Sequence, residues 1–140
     1  MTMTTSRIDI TFPGGKRVDA TLGETVIHTD QSKPHGGDAS APEPFDLFLA
    51  SLATCAGLYV LIFCQTRGIP THQLSLVQEQ IYEEGKLRRI LLRVLLPPGF
   101  PQKYVDAVRA AANGCRVKKT LADPPELDVV AVRFTQPVAV

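Results

Sequence analysis

The stretch from Leu47 to Thr66 carries no charged residue over twenty positions, and it limits the possible folds more than any other feature of the chain. A run of that length is enough to span a bilayer. It is equally the pattern of a helix buried on all sides at the axis of a globular core. Ser51, Thr54 and Gln65 dilute its hydrophobicity, segments with soluble alternation flank it, and no cluster of Lys and Arg sets an orientation across a membrane. The core reading is preferred, and no membrane contact is expected. Pro44 suits a first helical position, Asp46 falls in the first turn, and Gly68 with Pro70 stops the helix after Arg67. At 1.5 Å per residue, Pro44–Arg67 spans roughly 36 Å. One small domain has difficulty covering such a helix alone, which points to a homodimer in which each subunit covers part of its partner's helix.

The flanking segments alternate as half-buried strands do. Ile8, Ile10 and Phe12 form one run, "PGGK" turns the chain, and Val18, Ala20 and Leu22 form a second. Gly23–Glu24 suits a two-residue hairpin loop into a third strand, Thr25–Thr29. Residues 30–43, "DQSKPHGGDASAPE", read as an ordinary mobile loop. After the central helix, Gln73–Glu83 (Leu74, Leu76 and Tyr82 on one face) and Leu87–Leu96 (Ile90, Leu92, Val94 and Leu96 on one face) read as a hairpin joined by "EEGK". Pro101 opens a second helix that "NG" breaks at Asn113–Gly114, "CRVKKTL" reads as a short helix, and Leu127–Phe134 as a last strand. The order is β-β-β-α-β-β-α-β, an α+β fold with a long buried central helix.

A chain of 140 residues corresponds to one domain, residues 1–140. Its net charge of +1 lacks the basic stripe, or the pI above ~9, that marks nucleic-acid binding. The start, "MTMTTSRIDI", has no apolar core of a secretion signal, so a cytoplasmic location with reduced cysteines is expected. Three cysteines without CxxC spacing suit neither a disulfide scaffold nor a metal site, and no cofactor is expected.

Cys55 and Cys64 are nine residues apart on one helix and face opposite ways, so they are no local redox pair. Cys64, near the helix end, reads as a small buried hydrophobe. Cys55 sits among Ser51, Ala53, Thr54, Ala56 and Gly57, small residues that admit either another backbone or a substrate. A tight helix–helix contact and a nucleophile under an apolar pocket both fit. An apolar helix disfavours the thiolate unless folding brings a cation, from Arg17, Lys16 or a partner subunit. Cys115 precedes Arg116, Lys118 and Lys119 and is either a surface loop residue or a thiol favoured as thiolate at a helix N-terminus. His28, His35 and His72 are scattered, and "KPHGGD" lacks the strand–loop–helix context and the lysine of a phosphate loop. Arg88, Arg89 and Arg93 read as a solvated strand face.

"PEPFDLFLASLATCAGLYV", followed sixty residues after its cysteine by "NGCRVKKTL", resembles the OsmC/Ohr superfamily of thiol-dependent hydroperoxide reductases. The resemblance covers nearly the whole chain. It implies an intertwined homodimer with two active sites at the interface. It makes Cys55 the peroxidatic and Cys115 the resolving cysteine of a cycle on organic hydroperoxides, with an external dithiol as reductant. It suggests Arg17 as the thiolate-holding arginine and places His35 or Asp38 near the pocket. Characterised peroxidases of the superfamily carry Glu ten residues before the cysteine, where this chain has Phe45, with Asp46 adjacent and Glu43 two residues earlier. That pattern resembles the less characterised OsmC-like branch, with Asp46 as the supporting carboxylate. The alternative is a module on the same fold that binds an apolar small molecule or thiol compound without cycling its cysteines.

Overall fold

The computed structural model describes residues 2–133. Three antiparallel strands, β1 (Asp9–Gly14), β2 (Arg17–Leu22) and β3 (Thr25–Thr29), form a sheet in the order β1-β2-β3. The hairpin at Gly23–Glu24 is as expected, with Gly23 at φ 59°, a conformation that suits glycine. The pairs Ile10↔Ala20 and Ala20↔Ile27 put the alternating apolar residues on one face, and Asp19 and His28 on the other. Helix α1 (Pro44–Thr66) follows, then the antiparallel hairpin of β4 (Ser75–Glu83) and β5 (Lys86–Leu95). Glu84 and Gly85, at φ 51° and 76°, make its two-residue turn. A single 3₁₀ turn, Gln102–Tyr104, leads into α2 (Val105–Asn113), and α3 is Arg116–Ala122.

The core gathers one stripe of α1 (Ala56, Val60, Cys64), two residues of α2 (Val108, Ala112) and Cys115, with Leu76, Leu92 and Val94 of the hairpin packed against them. Each fully buried valine contributes roughly 1.5–3 kcal/mol of apolar burial. At the end of α1, the Arg67 guanidinium lies 3.7 Å over the Phe63 ring, which meets Tyr104 edge-on at 5.8 Å. No residue of β1–β3 belongs to this core.

Three expectations change. Tyr82 keeps the alternation of Leu76, Gln78 and Gln80 but lies near the turn end of β4 and is 53% exposed, and the register shift beside it places the extra residue, Arg88, on β5. Leu74 precedes β4, so the inward positions there are Leu76, Gln78 and Gln80. The last strand does not form over residues 127–133, and Phe134 lies outside the described residues. Leu127 and Val129 are 90% and 91% exposed, since no strand edge among the described residues lies beside them to complete a ladder. The described order is β-β-β-α-β-β-α-α.

Candidate functional site

Residues 30–43 form a hydrogen-bonded knot rather than a loose loop. Asp30 is 1% exposed and accepts from the Gln31 N–H at 2.7 Å, the Ser40 N–H at 3.0 Å and the Ser40 hydroxyl at 2.6 Å. The Ser40 hydroxyl, then the backbone N–H groups, hold its carboxyl down at about 2. A side chain at Gly37 would put a Cβ 2.1 Å from the Gln31 carbonyl oxygen, so only glycine fits. Glu43 accepts from the Ser32 N–H at 2.9 Å and His35 Nδ1 at 2.7 Å, and these partners, Ser32 first, hold it at about 2. With the Asp30 N–H donating to the Pro42 carbonyl at 3.1 Å, the knot fixes where α1 begins.

This gives a pH dependence. Both carboxyls have folded-state pKa values below their unfolded ones, so their contribution is complete above about pH 4 and is lost as pH falls toward 2. Thermal melts are expected to show Tm falling through that window. The Asp30→Asn, Glu43→Gln double variant should melt lower at pH 7 and show a flatter acid limb. An acid limb as steep as wild type would count against the knot. Glu79, held down by Arg93 at 2.6 Å, supplies part of the remaining slope.

Cys55 lies halfway along α1, about 100° round the helix from buried Ala56. It is half-buried, at the border between the core stripe and an uncovered apolar stripe. On that outer stripe Leu58 is 50% and Ile62 51% exposed. The hydroxyls of Ser51 and Thr54 donate back to the carbonyls of Phe48 (2.7 Å) and Ala50 (2.8 Å), so both are satisfied within the helix. Cys115 is no surface loop residue. It is 1% exposed and caps α3, its sulfur accepting the Lys118 N–H at 3.4 Å. Both thiols are free, and both pack in the same core cluster. Cys64 is fully buried, and that burial pushes its thiol up, with Arg67 pulling part of the way back.

The supporting residues stand apart within one chain. The Arg17 guanidinium donates to the Gly14 carbonyl at 3.3 Å and remains exposed on β2. Asp46 is exposed in the first turn of α1. Phe45 is exposed and stacks on Phe48 at 5.4 Å, and Glu43 is engaged by the knot. His35 is tied to Glu43, and His28 to Asp19 at 3.0 Å. Among the described residues, no group of three or more His, Cys, Asp or Glu side chains is placed to hold a metal.

Sequence reasoning missed Asp30 as the centre of the knot. The available signal was an aspartate ending a strand ahead of Gly37 and Ser40. It also missed Gln78, whose Nε2 donates to the Leu49 carbonyl at 3.0 Å while its Oε1 is buried without a partner. The alternation through Leu74 and Leu76 puts position 78 on the inward face, but its polar side chain gave no apolar signal there.

The fold is shared with solved structures. One is a protein of Psychrobacter arcticus, provisionally described as an osmotic stress induced and detoxification response protein (TM-score 0.65, 23% identity, 86% of this chain and 89% of that one). A second is an OsmC-like protein of Mycoplasma pneumoniae (TM-score 0.64, 16% identity, 86% and 89%). A third is the Legionella pneumophila organic hydroperoxide resistance protein OsmC, also described as a predicted redox protein (TM-score 0.55, 18% identity, 86% and 91%). No curated protein matches the sequence. The sequence model of the OsmC-like proteins matches residues 36–130, a span that includes α1 with Cys55, the β4–β5 hairpin, α2 and Cys115. With the model covering more than half of the chain and the fold in agreement, the protein belongs to the OsmC-like family.

Proposed function

We propose that the protein is a cytoplasmic homodimeric thiol peroxidase acting on organic hydroperoxides. The observation that carries this reading is the half-exposed Cys55 among small side chains, packed in the same cluster as buried, free Cys115. The Cys55 thiolate attacks the O–O bond, an S–O bond forms, and the alkoxide leaves as the alcohol after taking a proton. The Cys115 thiol then displaces water from the sulfenic acid to form a disulfide, and an external dithiol reduces it by exchange. For this step Cys115 gives up its cap on the Lys118 N–H. Apolar surroundings favour organic over hydrogen peroxide.

The dimer rests on surface. The chain exposes 11488 Å². A compact monomer of 15.2 kDa is expected to expose about 7100 Å². The uncovered stripe of α1 and the apolar face of the β1–β3 sheet, with Phe12 79% exposed, have nothing among the described residues to cover them. A second copy supplies each surface with a match. It also offers a route for a cation such as Arg17 to reach the partner's Cys55.

Phe45 at the superfamily's Glu position, with Glu43 held in the knot, favours the second reading, a binding module whose cysteines do not cycle. One experiment separates the two. The reduced protein is mixed with one equivalent of cumene hydroperoxide, and free thiols are counted by intact mass. Loss of two thiols, mapped to Cys55 and Cys115, is expected. Retention of all three selects the binding module.

A further inference from the structure

We propose that an open groove between β5, α1, α2 and α3 binds a free long-chain carboxylate, with the chain along its apolar floor and the head group at Arg109 and Lys118. The groove holds about 930 Å³, within the ~300–1000 Å³ usual for small-molecule sites. Leu92, Val94 and Leu96 of β5 and Val108 of α2 supply the floor. Among the described residues, Arg109 and Lys118 are its charged lining residues and no acidic side chain lines it. Arg109 shares only an exposed 3.7 Å ion pair with Asp106, which water screens. The Lys118 ammonium meets the neutral amide of Asn113.

An apolar trough whose described lining carries two cations and no acid is complementary to an aliphatic anion. Cys55 does not line the groove, so the site is separate from the proposed nucleophile. Cys115 does line it, and the ligand would therefore lie against the proposed resolving cysteine.

The test is titration of the full-length reduced protein with cis-parinarate, followed by displacement with palmitate. Saturable binding of one probe per chain is expected, with methyl palmitate competing about tenfold less well than palmitate. Because exposed ion pairs are individually weak, the Arg109→Glu, Lys118→Glu pair should weaken binding by about tenfold in total. Ala110→Trp, at the exposed mouth of the groove, should block the probe without lowering Tm. Cys55→Ser should bind as wild type does, which keeps this result independent of the peroxidase reading. The proposal is overturned by absence of saturable binding, or by unchanged affinity in the charge-reversed variant. Binding confined to phosphatidylglycerol vesicles would overturn it as well. So would an Ala110→Trp variant that splits a dimer, since the groove would then be a subunit contact.

Discussion

Cys55→Ser is expected to reduce organic hydroperoxide turnover to background, a loss on the order of 10³-fold or more, as for removal of a nucleophile that forms the covalent intermediate. Cys115→Ser is expected to behave differently. It should consume one equivalent of peroxide per chain and stop, with a mass gain of one oxygen that dimedone traps as a sulfenic acid. Cys64→Ala should turn over as wild type does, because Cys64 is fully buried and burial disfavours its thiolate. Steady-state assays with cumene hydroperoxide and dithiothreitol, paired with intact mass, read all three variants. Full activity in Cys55→Ser would end the peroxidase reading. Multiple turnover in Cys115→Ser would remove only its resolving role.

The second large effect is on assembly. Ile62 is half exposed on the outer stripe of α1 and is proposed to be covered by the second subunit. Ile62→Asp places an unpaired carboxylate in that contact and removes about 1.5–3 kcal/mol of apolar burial per side. A two-fold interface feels the change twice, so the dimer constant should weaken by more than about a thousandfold. Light scattering at tens of micromolar is expected to show a dimer for wild type and a monomer for the variant. Peroxide turnover should fall with it if the activating cation comes from the partner. A monomeric wild-type protein at that concentration would refute the dimer outright.

Local patterns were legible where one chemical rule acts over neighbouring residues. Alternation placed β1, β2 and β3, and the glycine turns located the hairpins, Gly23–Glu24 to the residue and "PGGK" within two, since β1 runs on through Gly14. The charge-free run bounded by Pro44 and Gly68 gave α1 within one residue of its observed end. Of the two readings of Cys115, a surface loop residue or a helix N-terminus, the structure bears out the second, where it caps α3. Tyr82 follows the alternation but stays exposed near the turn end of the hairpin, and how far the packed core reaches along a strand leaves no mark in composition. The order of the knot at residues 30–43 is not legible in the sequence, because it depends on one buried carboxylate bonding to Ser40, ten residues away.

The sequence by itself determined the element types, the apolar axis, the isolation of Cys55 among small residues and the family resemblance. These follow from periodicity, capping and side-chain size, which act over a few residues. Tertiary structure alone decided that Cys115 is buried in the same cluster as Cys55, that Glu43 is committed to the knot, and that Arg17 stays with Gly14. It also decided that the β1–β3 sheet leaves its apolar face uncovered and that Leu127–Arg133 finds no strand partner among the described residues. Each of those outcomes depends on which distant surfaces meet. Pairing across tens of residues is set by packing and hydrogen-bond satisfaction over the whole fold, and no local pattern encodes it.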